Sequence, residues 1–547
     1  MSDAPNHLIV APILTPLFAG AAMLLIDEKR RAAKATLGVV SILVQLAVAT
    51  ALLFAADAAT GGFGGVYRLG DWPAPFAIPL VLDRLSALML ALTAALALAC
   101  YVYALAGASR AGAYFHSLFQ FLLMGLNGAF LTGDLFNLFV FFELLLAASY
   151  GLALHGSGPA RVKASLHYIA VNLAASLLFL IGVALIYSVT GALNMAEIAF
   201  RAPSLSAADR ALFEAGAGVL ALAFLTKAGM WPLSFWLAPT YGAAVAPAAA
   251  MFAIMTKVGV YAVLRLSTLL FGAGAGASSG YGMEAIFLGG VATMLFAGFA
   301  ALNAANLARL AGACVLLSAG ALIAAVGFGR VGVTSGALFY LVGSTLGAAA
   351  LFLLAGVLGR GEASPDDPAP APVADGDEDE DEDAGFREDE QVGRVFPASM
   401  GLLGFAFLAC VTLLAGLPPL STFFAKIAML KAALAPAGAA ATDVGVEGWI
   451  YLAATLATGL FALIALTRVG MRAFWIGERA SPMASPLELA PLMALLGLAA
   501  ALTIWAGPAL RYTGDAALAL HAPRHYIERS LEPALDRVRR AEQGGGS

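Results

Sequence analysis

The stretch Asp134-Leu-Phe-Asn-Leu-Phe-Val-Phe-Phe-Glu143-Leu-Leu-Leu-Ala-Ala-Ser-Tyr-Gly-Leu-Ala-Leu154 decides how the chain must be read. From Leu135 onward it is an almost unbroken apolar run of about 20 residues, the length with which one α-helix crosses the roughly 30 Å hydrocarbon core of a bilayer. Glu143 falls near the middle of that run, out of reach of either surface. An ionised side chain at mid-depth costs roughly 2.5–3.5 kcal/mol on insertion scales, so it persists where it is paired, hydrated and functional. Desolvation favours the neutral carboxyl, whereas a nearby ammonium favours the carboxylate.

The rest of the chain repeats this pattern. Of its 547 residues 61% are hydrophobic and 12% charged, with mean hydropathy +0.87. A soluble globule carries about a quarter charged residues, so this is a polytopic membrane protein. Apolar runs begin near residues 8, 36, 82, 113, 135, 164, 215, 243, 283, 309, 333, 397, 448 and 487, predicting about fourteen transmembrane helices in an all-α fold. The runs are too long and too apolar for the alternating strands of a barrel. The first run leads through basic residues into a second span, so it is expected to be retained as the first helix rather than cleaved as a signal peptide.

Alternate short loops differ in charge. One set carries Lys29, Arg30, Arg31, Lys34, Arg110, Arg161, Lys163, Arg309, Arg360, Arg468, Arg472 and Arg479; the other carries Arg68, Arg201, Arg210 and Arg330. The positive-inside rule puts the first set in the cytoplasm and both termini outside. The net charge of -5 belongs to one segment: residues 362–394 hold fourteen acidic residues against Arg387 and Arg394, and without them the chain is at +7. This Pro-, Ala- and Asp-rich stretch, within 360–395, predicts a disordered cytoplasmic insertion. A solvated linker is its simplest reading, and a cation-collecting antenna the alternative.

Three lysines join Glu143. Lys227 lies halfway along a span in Leu225-Thr-Lys227-Ala-Gly-Met-Trp-Pro232, and Lys257 sits about ten residues into the next span. Pro232 removes a backbone hydrogen bond and opens the helix, as expected beside an ion pathway. Between Pro397 and Leu434 a single helix would be about 57 Å long, so it must break. The break signal is Gly416-Leu-Pro418-Pro419-Leu-Ser, with Lys426 just beyond. Lys431 and Arg265 lie nearer span ends, where their heads are expected to snorkel. Pro232-Leu-Ser and Pro419-Leu-Ser stand at the two Lys-bearing breaks, suggesting two inverted five-helix repeats, spans 4–8 and 9–13. The expected divisions are 1–110 for helices 1–3, 111–272 and 280–475 for the repeats, and 485–547 for the last helix and a polar tail. That tail would lie on the membrane surface or against a partner, and Gly544–Ser547 looks like an appended linker.

Gly133 through Glu143, Leu166-His167-Tyr-Ile-Ala-Val-Asn-Leu-Ala-Ala-Ser176, Lys227 with Trp231-Pro232, Lys257, and Gly416 through Ser421 with Lys426 carry a family resemblance. From about residue 5 to about 525 the chain resembles the D-type subunits of the Mrp-type multisubunit cation/proton antiporters, the superfamily that includes the antiporter-like subunits of respiratory complex I. The resemblance implies a hydrated axis along the middle of the membrane. Glu143 and Lys227 would form the switching pair of the first half-channel, Lys257 the central relay, and Lys426 the terminal lysine of the second. External H+ would exchange for cytoplasmic Na+ or K+ in a bacterial cytoplasmic membrane. The implied partners are an A-type chain and small membrane proteins of the same complex, with no nucleic acid.

One departure stands out. Residues 311–357 contain no His, Lys, Asp or Glu, and Tyr340 occupies the place where the family suggests a histidine. The path from Lys257 to Lys426 would then need water with the hydroxyls of Ser318, Tyr340, Ser344 or Thr345, or be confined to the first half. His116, Asp134 and His167 are further candidates for the polar path, although a span-edge histidine is more often a packing residue. Cys100, Cys314 and Cys410 have no metal or disulfide spacing, and no cofactor or metal is expected. A proton-pumping component of complex I or a membrane-bound hydrogenase, and a structural scaffold whose buried charges fix packing, are the alternatives.

Overall fold

The computed structural model describes residues 7–72, 78–359, 398–436, 444–474 and 484–532. The acidic insertion and the closing linker lie outside these residues. The helices are α1 (Ala11–Leu25), α2 (Arg31–Ala58), α3 (Arg84–Leu105), α4 (Phe115–Leu131), α5 (Leu135–Leu154), α6 (Pro159–Thr190), α7 (Met195–Arg201), α8 (Ala207–Ala228) and α9 (Leu237–Ala243). They continue as α10 (Ala246–Leu270), α11 (Met283–Leu302), α12 (Leu307–Phe328), α13 (Val331–Leu358), α14 (Ala398–Ala415), α15 (Ser421–Ala433), α16 (Val446–Phe474), α17 (Pro486–Ile504) and α18 (Ala506–His521).

Among the described residues eleven helices are long and apolar enough to cross a membrane, accompanied by three shorter apolar ones, Ala11–Leu25, Phe115–Leu131 and Met400–Ala415. Hydropathy does not separate centre from rim, because both are apolar all round. Burial does: α10, α12 and α13 are enclosed almost throughout, while α2, α6, α16 and α17 leave most of their surface outward. The expectation of helices alone needs one amendment. Strands β1 (Phe63–Arg68) and β2 (Pro79–Asp83) form an antiparallel hairpin between α2 and α3, too short and glycine-rich to register as a span.

Local chemistry explains how irregular backbone survives among apolar helices. Pro16 cannot donate inside α1, which frees the Pro12 carbonyl; Asn127 on α4 fills it from Nδ2 at 2.8 Å and also donates to Gln45 Oε1 at 3.0 Å. Both lysine-bearing breaks close in the same way. Helix α8 ends at Gly229 and α14 at Gly416, each left-handed, with φ 79° and 75°. The following amides of Met230 and Leu417 reach back to Leu225 O and Thr412 O at 2.8 and 2.9 Å, the closure of a Schellman cap. The chain then restarts as α9 and α15, so Pro232, Pro418 and Pro419 lie in the interruptions as expected.

Helix α18 follows α17 directly and packs with Thr513, Ala516, Ala517 and Leu520 inward, against α3 and α13. The polar tail therefore lies, as far as residue 532, on the chain's own bundle.

Candidate functional site

Helix α6 is long, and along one buried face it sets Tyr168, Asn172 and Ser176 at i, i+4 and i+8. Helix α8 can approach this face because Gly182 has no side chain; a Cβ there would stand 2.7 Å from Leu220 N. The approach brings Lys227 to Ser176, whose Oγ accepts from Lys227 Nζ at 3.1 Å and donates to Glu143 Oε1. Lys227 Nζ and Glu143 Oε1 are 3.9 Å apart, and the ammonium also lies 5.1 Å from the centre of the Phe142 ring. The predicted pair is thus a triad bridged by a hydroxyl. Lys227 is enclosed, whereas about 31% of the Glu143 side chain remains exposed at the edge of the bundle.

The two sides of the triad differ. Phe142, Phe179 and Phe224 pack mutually on one side, with centroids 5.0 to 6.2 Å apart. On the other, Tyr168 bonds to Ser149 Oγ at 2.6 Å, stacks on Trp236 at 5.1 Å and meets the edge of Tyr150 at 5.2 Å. Here Tyr150 OH, Ser234 Oγ and Trp236 Nε1 are buried without a hydrogen-bond partner among the described residues. Buried polar atoms of this kind are places for ordered water.

Lys257 is buried at the centre of α10 and donates to Ser318 Oγ on α12 at 2.5 Å; that hydroxyl in turn bonds Val315 O at 2.8 Å. Lys426 turns back across the second break and donates to Ala415 O at 2.8 Å. This carbonyl is one that the end of α14 leaves without an intrahelical amide, so the helix terminus receives the ammonium. A void of about 10 Å³, room for one water at most, separates Lys426 from Tyr340, Tyr451, Thr455 and Thr458. Ser421, the counterpart of Ser234, is likewise buried without a hydrogen-bond partner among the described residues.

The remaining candidates are dispersed. Tyr340 lies at the Lys426 void, but Ser344 and Thr345 bond back to Leu341 O of their own helix, at 3.3 and 2.6 Å. Asp134 caps α5, accepting from Asn137 N at 2.8 Å. His116 is buried against Tyr101 OH at 2.6 Å, near the Glu28–Lys34 ion pair rather than Glu143. His167 is exposed, with Nδ1 2.9 Å from Lys163 O. Lys431 is exposed, but Arg265 does not snorkel: it is buried and paired with Asp83. Ser176 is the residue of the triad to which the sequence assigns no role. Its one signal is the polar spacing 168, 172, 176 inside an apolar run. Among the described residues no cluster of His, Cys, Asp and Glu could hold a metal ion.

Known proteins resemble this chain along most of its length. Residues 132–446 match the family described as "NADH:quinone oxidoreductase/Mrp antiporter, TM". A protein of Rhizobium meliloti, named as the probable D component of a K+/H+ antiporter, is 52% identical over 97% of this chain and 98% of its own. The D component of the Na+/H+ antiporter of Alkalihalophilus pseudofirmus is 32% identical over 96% of this chain and 100% of its own. Among solved structures, a chain of the Mrp complex from Dietzia sp. superposes with a TM-score of 0.79 at 25% identity, covering 97% of this chain and 100% of that one.

Proposed function

The chain belongs to the D-type group of the NADH:quinone oxidoreductase/Mrp antiporter family, a group of cation/proton antiporter membrane subunits, and on that premise we propose that it translocates ions through Glu143, Ser176, Lys227, Lys257 and Lys426. It works beside other membrane subunits, for which an A-type chain and small hydrophobic proteins are proposed. Fourteen helices cross the bacterial cytoplasmic membrane, arranged as helices 1–3 (1–110), inverted repeats at 111–272 and 280–475, and a last helix within 485–547. Both termini are outside, and external H+ is exchanged for cytoplasmic K+ or Na+. The relative at 52% identity is the one named for potassium, which favours that ion.

The observation that carries this reading is the Glu143–Ser176–Lys227 triad, held within three long apolar helices. In a low-dielectric interior each group's protonation is coupled to its neighbour's, so a change in their separation moves a proton. Lengthening the gap weakens the attraction that keeps both charged; closing it restores that attraction. The exposed part of Glu143 then marks an edge that a neighbouring protein of the complex covers, since a carboxylate facing lipid is costly.

The test is Lys227→Ala in the assembled complex, reconstituted in vesicles and followed by cation-driven pH change. Abolished exchange at normal levels of the assembled complex is expected. Unimpaired exchange at those levels removes the triad from the path and favours a scaffold role for the buried charges.

A further inference from the structure

Helix α10 carries charge beyond the triad and Lys257. Lys257, Tyr261 and Arg265 stand at i, i+4 and i+8, one stripe along a helix buried from end to end. Arg265 grips Asp83, the last residue of β2, with Nη1 2.5 Å from Oδ2 and Nη2 2.9 Å from Oδ1. Its Nη2 also donates to the Tyr261 hydroxyl at 3.3 Å, and the rings of Tyr261 and Tyr526 lie 5.4 and 5.3 Å from the guanidinium carbon. Joining a hairpin to a helix does not require this. A buried ion pair is expensive to desolvate, and apolar residues of similar volume often hold a fold as well.

The pair also borders open space. A cavity of about 250 Å³ lies between the hairpin and the C-terminal segment, with Asp83, Arg84, Arg265, Thr268, Asp515 and His525 on its wall. A space this large with charged walls holds several waters. On the far side of the ion pair the stripe continues through Tyr261, which donates to Phe130 O at 2.7 Å, to Lys257 and Ser318. The Asp83–Arg265 contact therefore stands between a cavity with charged residues on its wall and the central lysine.

We propose that this cavity is an aqueous vestibule and that the Asp83–Arg265 pair is the gate between it and Lys257, through which the central lysine exchanges protons with water from the hairpin face of the bundle. When one prong of the guanidinium releases the carboxylate, water enters along the stripe. A hydronium then gives its proton to a neutral Lys257 Nζ and leaves as water, and the reverse step returns it. Only the transport consequence rests on the proposed function; water access through the gate does not.

The test is thiol labelling in the assembled complex, with Cys100, Cys314 and Cys410 replaced by alanine. Thr268→Cys places a thiol on the vestibule wall. Val258→Cys, nearly isosteric, places one on the inner side of the pair, one turn from Tyr261. A small membrane-impermeant methanethiosulfonate is applied to either face. Thr268→Cys is expected to react from one face only. Val258→Cys is expected to be protected while the pair is intact, and to react at least about tenfold faster when Asp83→Asn is combined with Arg265→Gln, which removes both charges and leaves neither unpaired. Should that combination fail to assemble, Arg265→Lys, with a single prong, is expected to give an intermediate rate. Unchanged labelling of Val258→Cys in the assembled variant overturns the gate, and a Thr268→Cys thiol inert from both faces overturns the vestibule. Faster labelling with unaltered cation-driven pH change supports the gate while removing Lys257 from the transport path.

Discussion

The hydroxyl of Ser176 stands between Glu143 and Lys227, accepting from the ammonium at 3.1 Å while the two charges themselves are 3.9 Å apart. The pair is therefore coupled through a third group. A hydroxyl that donates to one partner and accepts from the other can pass a proton and holds each charge at a set distance.

Ser176→Ala removes that bridge and leaves an ammonium with the Phe142 face and a carboxylate beyond hydrogen-bond reach. A lost hydrogen bond to a charged group is worth about 1.5–3 kcal/mol, which as a barrier corresponds to roughly a ten- to hundredfold slower exchange. Ser176→Thr, which keeps the hydroxyl, is expected to retain most of the rate. Cation-driven pH change in vesicles at matched protein levels distinguishes the two, and equal rates for both variants would remove the bridge from the path.

Ser318→Ala separates stability from transport at Lys257. Ser318 is the hydroxyl to which Lys257 Nζ donates, so its loss leaves a buried ammonium short of a partner. The expected cost is about 1–3 kcal/mol of stability, read as a lower Tm of the purified complex. The paired change Ser318→Ala with Lys257→Met removes both polar groups and is expected to recover that stability while leaving exchange impaired. Recovery of exchange as well would make Lys257 a packing residue.

The lysines are legible as buried charges because a charge within twenty apolar residues is costly at mid-depth, a packed stem with a snorkelling head being the plainer alternative, and the breaks because glycine and proline interrupt helices for backbone reasons. Ser176 is not legible. A serine inside a transmembrane helix commonly bonds its own i−4 carbonyl; Asn172 O lies 2.9 Å from Ser176 Oγ and competes with Glu143 for its one proton, and nothing local in the sequence distinguishes Ser176 from Thr345, which bonds only its own helix. Arg265 misleads for a different reason. Its position near a helix end suggests snorkelling, while its partner Asp83 lies 182 residues away in a hairpin that hydropathy does not detect. The same limit applies to Ser344 and Thr345, whose hydroxyls are available by composition but are satisfied by Leu341 O.

Gly416→Ala tests the link between the second break and its lysine. Gly416 has φ 75°, and a Cβ there would stand 2.5 Å from Lys426 Nζ. The left-handed conformation costs alanine roughly 1–2 kcal/mol, a modest loss. The steric conflict falls on the far end of the Lys426 side chain, which must leave Ala415 O. A lowering of Tm by a few degrees with a disproportionate loss of exchange is expected, and parallel losses of both would reduce Gly416 to a helix terminus.

The Asp83–Arg265 pair also makes stability depend on pH. Burial alone would raise the Asp83 carboxyl, but the Arg265 guanidinium and the hydrogen bonds from Arg265 and Ser86 outweigh it and hold the group below its ordinary value. The unfolded chain then binds the proton more readily than the folded one, so the contribution is present in full above the unfolded value of about 4. It is lost as pH falls from there through the depressed folded value. The Tm of the purified complex is therefore expected to fall more steeply below about pH 4 in the wild type than in Asp83→Asn with Arg265→Gln, which has no carboxylate to protonate at this position. Between about pH 6 and 8 the Tm difference between the two proteins is expected to stay constant. Identical acid profiles would mean that Asp83 is not held as a carboxylate in the folded protein.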